Sequence, residues 1–480
     1  MIKQAIILAA GNGSRIQRSK SDVPKPLRKV CGLTLIKRTI LNAKRGGITD
    51  FIVVVGYKGE QIINSLSEDR SLGVNLRFVH NADYHKSNGV SLLAAQPYAD
   101  EQFLLLMADH IFDRLAVEKI LNTPFHENKV LLGVDRNLTS IFDVEDATKV
   151  KTRGNKIQEI SKQLTGYDAF DTGIFVCDTS LFTVLEKIYH EAGDTSLSQG
   201  VLALANQGQA GVCDISEYFW QDVDTPKALR HAEKFLFKSL RKPTDGWISR
   251  NINRHISLSI TRWLVRTNLS ANHVTGFVTL IGILSGFFVS MGNYRDVVIG
   301  GLLFNLTSIL DGCDGEMAKL KLSNSKRGEW LDTLSDNITY LAFFAGVAMG
   351  AYRQTESPQI IFESAFMFMG ILITLSIMFT YLIRYTNSGS LVTIQKDLSE
   401  EEKKDEAKDV WHWFAKIKFV VKRDFFAMFF MTLALFNQLS LIIHLTMIAA
   451  NLSWMVILAY KKEMFKVQLA KANAISHPLQ

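Results

Sequence analysis

The amino-acid sequence predicts two domains of different kinds: a soluble α/β domain, followed by an all-α domain of six transmembrane helices. Three observations carry this expectation. The chain opens with an apolar run, Ala5 to Ala10, that breaks directly into a glycine-rich turn. The second half holds long stretches without a single Asp, Glu, Lys or Arg. Between Asp311 and Asp336, four aspartates stand along the margin of those stretches. At 480 residues the chain exceeds one ordinary domain. The composition divides it into a soluble part (1–240), a linker with an interfacial helix (241–268) and a membrane part (269–480).

The net charge of +7 would suit a nucleic-acid partner. The excess, however, lies beside apolar segments, where it fits positive-inside topology and contact with anionic lipid. No nucleic-acid partner is expected. Four cysteines, Cys31, Cys177, Cys213 and Cys313, are scattered with neither a CxxC pair nor zinc spacing, as in a reducing cytosolic setting. The opening MIKQAIILAAG fits a buried first strand better than a signal peptide.

In the soluble half, the first strand leads into Gly11-Asn-Gly13-Ser-Arg15, and Pro24-Lys25-Pro-Leu27 follows. A glycine-rich turn after a strand lets backbone N–H groups approach a triphosphate, while a nearby Arg and Lys neutralise it. The competing reading is an ordinary strand–helix turn with solvated cations. Farther along, Phe103 to Asp109 is a buried strand ending in a carboxylate, and Phe219-Trp-Gln-Asp-Val-Asp224-Thr-Pro offers another. Either aspartate alone could simply cap a helix.

Together, LAAGNGSR and PKPL resemble the sugar-phosphate nucleotidyltransferase family, whose fold is a Rossmann-like α/β sandwich. The resemblance implies that Gly11 and Gly13 bind the nucleotide and that Asn88 and Gly89 shape the base pocket. It also implies that Asp109 and Asp224 hold Mg²⁺ (or Mn²⁺), and that Lys162 and Asp171-Thr-Gly173 lie on the acceptor side. The implied reaction is attack of a phosphate monoester on the α-phosphorus of a nucleoside triphosphate, releasing pyrophosphate. Arg15 and Lys25 would stabilise the charge that develops.

In the second half, Thr267 to Tyr294 is uncharged and can hold one span, and Val297 to Leu310 runs into Asp311 as a second. Asn337 to Tyr352 and Ser364 to Ile383 supply two more. Phe425 to Tyr460 is long enough for two, turning at Asn437-Gln438. Basic residues crowd before span one, between spans two and three, between four and five, and after six at Lys461-Lys462. The alternate loops hold few basic residues: Arg295 beside Asp296, then Arg353 near Glu356, then none. This asymmetry puts both termini, and both reactive centres, on the cytosolic side of the cell membrane. Trp247 to Arg266 spaces Ile248, Ile252, Ile256, Ile260 and Leu264 by four residues, with arginines on other faces, and is expected to lie in the bilayer surface. A soluble connector helix is the alternative. Leu398 to Lys408 is a charged, solvated segment with no catalytic role expected.

Carboxylates beside a membrane-length apolar run are costly unless they pair or hold cations. In DGCDGEMAKLKLSNSKRGEWLDTLSD, Asp311, Asp314, Gly315 and Ala318 share one helix face, and Gly328, Asp332 and Asp336 share a face of the next helix. Two such helices can converge hard oxygen donors on Mg²⁺, Mn²⁺ or Ca²⁺. The bland alternative is helix-end carboxylates paired with Lys319, Lys321, Lys326 and Arg327.

The string resembles the CDP-alcohol phosphotransferase signature D-x2-D-G-x2-A-R-x8-G-x3-D-x3-D at every spacing, with Lys319 in place of the usual Arg. That exchange keeps the charge and loses the bidentate fork. The resemblance implies metal ligation by Asp311, Asp314, Asp332 and Asp336, with Asp336 also acting as base. It implies a nucleotide site lined by Gly315, Ala318, Lys319 and Gly328. Asn272 to Thr275 resembles the N-x2-T that opens the first span of the family, with Ala271 in place of Pro. Lys321, Arg384 and Arg423 are candidate cations for a phosphorylated acceptor, with membrane anchoring as the competing role.

A nucleotidyltransferase makes a nucleotide-activated alcohol and a CDP-alcohol phosphotransferase consumes one, so economy selects CTP as the nucleotide. The whole chain resembles the family of bifunctional inositol-1-phosphate cytidylyltransferase/phosphotransferases. That implies formation of CDP-inositol from CTP and inositol-1-phosphate. Transfer to a second inositol-1-phosphate then gives phosphorylated di-myo-inositol phosphate and CMP, in a homodimer joined through the membrane domain. Two alternatives stay open: a non-catalytic first domain beside a phosphotransferase for another alcohol, lipids included, or a transporter whose acidic residues bind a cation.

Overall fold

The computed structural model describes residues 2–12, 23–125, 127–139, 144–241, 245–386, 388–391 and 423–476, with the backbone alone for 423 and 459–476. It divides into two compact units, Met1–Lys238 and Ser239–Gln480. Gly13, Arg15 and Leu398 to Lys408 lie outside the described residues.

The first unit runs β1 (Gln4–Ala9), β2 (Lys29–Val30), β3 (Leu33–Thr34), α1 (Leu35–Arg45), β4 (Asp50–Val55), α2 (Gly59–Ser67), β5 (Asn75–His80), α3 (Asn88–Leu93) and β6 (Gln102–Met107). It continues with β7 (His110–Phe112), α4 (Arg114–Asn122), β8 (Val130–Asp135), β9 (Lys149–Arg153), β10 (Lys156–Ser161) and β11 (Ala169–Asp178). It closes with α5 (Ser180–Ala192), α6 (Leu197–Asn206), β12 (Ala210–Asp214), β13 (Trp220–Asp222) and α7 (Pro226–Lys238).

Nine strands form one sheet in the order β5-β4-β1-β6-β11-β8-β12-β10-β9. The first four are mutually parallel, and β11 joins β6 antiparallel. Every residue of β1 is buried, as expected of a strand covered on both faces. Alternate side chains of the sheet feed two apolar cores, one containing Ile6, Leu105 and Phe175 and the other Ile7, Leu104 and Ile174. The chain leaves β1 for β4 and β5 on one side, then returns to β6 on the other. The carboxyl ends of β1 and β6 are therefore a topological switch point, the place where open α/β sheets bind ligands. The four cysteines are buried, and no disulfide joins them.

The second unit is helical: α8 (Arg254–Leu264), α9 (Ala271–Ser290), α10 (Tyr294–Leu320), α11 (Lys326–Thr355), α12 (Pro358–Tyr385), α13 (Arg423–Leu435) and α14 (Leu439–Ser476). Four of these hold segments long and apolar enough to cross a membrane: Ala271–Ser290, Tyr294–Leu320, Pro358–Tyr385 and Leu439–Leu458. Asp424–Leu435 is apolar but shorter, and α11 carries Glu329, Asp332 and Asp336 in its first half. Asn437, in the left-handed region at φ 56°, turns the chain between α13 and α14.

Small residues let α9 and α11 touch. A Cβ on Gly286 would strike the Ala342 carbonyl, and one on Gly346 would strike the Gly286 carbonyl. This is the close backbone approach by which membrane helices pack without a hydrophobic driving force.

The linker helix differs in part from its expected pattern. A π-helical turn, Ser249–Asn253, precedes α8. Ile252, Ile256 and Trp263 are exposed along one side, but the buried face of this segment includes the polar Asn253, Ser257 and Thr261.

Candidate active sites

The first centre lies where β6 ends. The Ala108 N–H still donates to the Leu8 carbonyl at 3.1 Å, holding the chain in line with β1 as it reaches Asp109. β7 and β13 then pair antiparallel with His110 opposite Asp222, and the Val223 N–H donates to the Asp109 carbonyl at 3.2 Å. A short ladder thus brings two distant acidic segments together. Helix capping falls to Asp113, whose side chain accepts from the Leu115 N–H, so Asp109 is not needed for that role.

Lys25 enters on a 3₁₀ turn, Lys25–Leu27, flanked by Pro24 and Pro26. Although charged, it is only 7% exposed, because its ammonium is 2.6 Å from Asp109 Oδ2, in direct contact with Asp224 Oδ1 and 3.5 Å from Asp222 Oδ1. Burial would raise the Asp109 carboxyl, but the Lys25 ammonium, with help from His110, outweighs it and holds the group down at about 2.

The donor set fits a hard divalent ion. Asp109, His110 and Asp222 present ligand atoms within 4.8 Å of one another, and so do Asp146, Asp222 and Asp224. Lys162 donates to Asp146 Oδ1 at 2.9 Å and is thereby linked to the second of these groups. Asp171 accepts from the Gly173 N–H at 2.8 Å, and burial pushes its carboxyl up to about 6. Gly173 has φ +75°, and a Cβ there would run into the His110 ring. Gly11 is exposed at the end of β1 with open space about it. Asn88 accepts from the Leu197 N–H at 2.9 Å and anchors the start of α6, while Gly89 packs against the Thr195 backbone.

Sequence reasoning missed Asp222, His110 and Asp146. A signal for the first existed: in Asp222-Val-Asp224, residues two apart share one face of an extended chain.

The second centre spans α10 and α11. Asp311, Asp332 and Asp336 bring one oxygen each within 4.8 Å of one another. Asp314 is not among these three. It is only 7% exposed, and its Oδ2 accepts from Thr275 Oγ1 of α9 at 2.6 Å. Gly315 has open space where a Cβ would be, Ala318 is half-buried and Lys319 is exposed. Gly328 lies in the first turn of α11, with its N–H capped by Ser325 Oγ at 3.1 Å. Lys321 donates to the carbonyls of Thr267 and Leu269 at 3.0 and 2.8 Å, a structural use of that cation. Arg384 is exposed, and the Arg423 side chain lies outside the described residues.

A strap not anticipated from sequence lies beside this centre. Glu329 Oε2 accepts from Ser388 Oγ at 2.8 Å and from the Gly389 N–H at 3.1 Å, while Thr333 Oγ1 donates to the Gly389 carbonyl at 2.8 Å.

Comparison with known proteins assigns a family to each half of the chain. Residues 5–138 match the MobA-like NTP transferase domain, and residues 268–459 match CDP-alcohol phosphatidyltransferase. The chain is therefore an enzyme that joins a nucleotidyltransferase to a membrane CDP-alcohol phosphotransferase. It is 36% identical over 350 residues to the Bifunctional IPC transferase and DIPP synthase of Aquifex aeolicus, covering 73% of this chain and 78% of that one. The protein of the same name from Rubrobacter xylanophilus is also 36% identical, over 72% of this chain and 77% of its own. The solved inositol-1-phosphate CTP transferase from T. maritima is 29% identical, over 48% of this chain and 94% of that one, at a TM-score of 0.44. The chain belongs to the family of bifunctional IPC transferases and DIPP synthases.

Proposed function

We propose that the first unit makes CDP-inositol from CTP and inositol-1-phosphate. The second unit then transfers the inositol phosphate group to another inositol-1-phosphate, giving phosphorylated di-myo-inositol phosphate and CMP. One observation carries the reading: a single chain holds two separate acidic centres, one built on a nucleotidyltransferase sheet and one on the aspartates of a CDP-alcohol phosphotransferase signature. A divalent ion at each centre, Mg²⁺ or Mn²⁺, supplies charge neutralisation on the phosphates being transferred.

In the first unit, Asp109, Asp222 and Asp224 would hold the cation, with Lys25 released from them to the triphosphate when CTP binds. The loop beginning at Gly11 offers backbone N–H groups to the phosphates. Asp146 orients Lys162 toward the acceptor. In the second unit, Asp311, Asp332 and Asp336 would hold the cation, which would neutralise the CDP pyrophosphate, and Thr275 holds the neighbouring Asp314 carboxylate in place. Asp336 takes the proton from the acceptor hydroxyl, whose oxygen attacks the β-phosphorus as CMP leaves. Gly315 and Gly328 leave room on the same helix faces for the nucleotide.

The basic flanks support six spans with both centres on the cytosolic side, where a soluble nucleotide arrives. The alternation of loop charge argues for that orientation, and for α11 and α13 crossing together with the four more apolar helices.

The test is turnover by the full chain in detergent with CTP, Mg²⁺ and inositol-1-phosphate. Pyrophosphate and CMP are both expected. Asp336→Asn should stop CMP release and let CDP-inositol accumulate. If this variant still turns over supplied CDP-inositol at the wild-type rate, the phosphotransferase assignment fails. If no polyol phosphate elicits pyrophosphate, the cytidylyltransferase assignment fails.

A further inference from the structure

Glu316 stands in the middle of the aspartate string, two residues after Asp314, yet neither metal centre uses it. It is 3% exposed on α10, a helix apolar enough to span a membrane. Three donors from α8 surround its carboxylate: Arg254 Nη1 at 2.6 Å and Ser257 Oγ at 2.7 Å on Oε1, and Thr261 Oγ1 at 2.6 Å on Oε2. Positions 254, 257 and 261 share one face of α8, so that face is given to a single carboxylate. Arg254 completes its fork on Asp245, with Nε at 2.9 Å from Oδ2 and Nη2 at 3.1 Å from Oδ1. The guanidinium also lies over Gly312, where a Cβ would sit 3.4 Å from Nη1, directly beside the metal-site residue Asp311.

Stability alone does not call for this arrangement. Removing a carboxylate and a guanidinium from water is costly, and apolar packing of similar volume holds two helices together at least as well. What a directional, multiply bonded ion pair adds is a fixed rotation and register. Helix α10 has one rotation for all its residues, and consecutive positions differ by about 100° around the axis. Glu316 anchors the side turned toward α8, whereas Asp311 and Asp314 occupy the opposite side.

We propose that Glu316, gripped by Arg254, Ser257 and Thr261, is a positioning residue that sets the rotation of α10 and so aims Asp311 and Asp314 at Asp332 and Asp336. The interfacial helix thereby serves as part of the metal centre's support as well as a membrane anchor. This rests on the second unit binding a divalent ion, as proposed above.

The experiment measures Mn²⁺ binding to the full chain in detergent by electron paramagnetic resonance, taking the sites lost in Asp336→Asn as the membrane centre. Supporting groups around metal ligands typically contribute about 10- to 100-fold in affinity. Glu316→Gln, which keeps the volume and removes the charge, should weaken Mn²⁺ at that centre about tenfold and leave the remaining sites unchanged. Thr261→Val, which deletes one donor, should weaken it about two- to threefold, and decides the question if Glu316→Gln does not elute as a folded protein. The idea is overturned if the folded variants bind Mn²⁺ at that centre within twofold of wild type. CDP-inositol turnover forms a separate arm: Mn²⁺ binding that responds to Glu316 in a wild-type protein unable to release CMP would sink the phosphotransferase reading and leave the positioning role intact.

Discussion

Replacing Lys25 with methionine tests the construction of the first centre. The substitution keeps most of the side-chain volume and removes the ammonium that Asp109, Asp222 and Asp224 share. The Asp109 carboxyl is held at about 2 against a free value of 3.8, which corresponds to about 2.5 kcal/mol of favourable interaction with its surroundings. Its side chain is 33% exposed, so solvent screening reduces the effective figure to about 1–2 kcal/mol.

The sign follows from the depressed pKa. The contribution is fully present above 3.8 and is lost as pH falls through 2. At pH 7 the variant of the 1–238 unit should therefore melt about 3–6 °C below wild type, with the gap closing toward pH 2. Mg²⁺ should raise the variant's midpoint more than the wild type's, because the cation then fills a place no ammonium contests. Cytidylyltransferase activity should fall by orders of magnitude in both conditions. If Lys25→Met melts with wild type at pH 7 and Mg²⁺ moves both equally, Lys25 is not the counter-ion of this centre and the three carboxylates are not its metal site.

Two further outcomes follow from the packing. Burial raises the Asp171 carboxyl from 3.8 to about 6, so the charged form is disfavoured in the folded state and stability declines as pH rises through that window. Asp171→Asn, whose amide oxygen can still accept from the Gly173 N–H, should raise the melting midpoint of the 1–238 unit at pH 7 by about 1–2 kcal/mol equivalent. The gain should vanish near pH 4, and equal gains at both pH values would refute the burial argument. Gly286→Val should force α9 from α11, since its Cβ already meets the Ala342 backbone. We expect about 2–3 kcal/mol of destabilisation from the overpacking and loss of CMP release with pyrophosphate release retained, read by parallel assays of the two half-reactions.

The parts of the molecule that sequence revealed are those in which local chemistry and periodicity agree. Ala5 to Ala10 reads as a buried strand because nothing in it can face water, and most of it forms β1, an interior strand of the sheet. Asp332 and Asp336 share one face of α11 because four-residue spacing keeps side chains on one side of a helix, and the packing of α10 against the same bundle brings Asp311 to them. What sequence concealed depends on pairings between distant segments. Asp222 and His110 become neighbours only because β7 and β13, three residues each, pair across more than a hundred positions. Strands that short carry too little alternation to announce themselves. In the sequence Lys321 is open to two roles, a cation for a phosphorylated acceptor or a membrane anchor, and only the fold shows the Thr267 and Leu269 carbonyls that take it up.

The linker helix shows the same limit most clearly. Of its apolar repeat, Ile252 and Ile256 are exposed, whereas Ile248 is buried and Ile260 and Leu264 pack against the cluster of Val274 and Met317. On the opposite side, Ser257 and Thr261 are buried. A serine or threonine facing water and one buried against a carboxylate have the same sequence signature, since hydrophobic periodicity records which side is apolar and not what the polar side meets. The partner that gives this side its meaning, Glu316, lies inside a motif whose fixed positions pass over it. A functional pattern directs attention to the residues that touch substrate, and the groups that hold those residues in place fall in its variable positions, where only geometry can identify them.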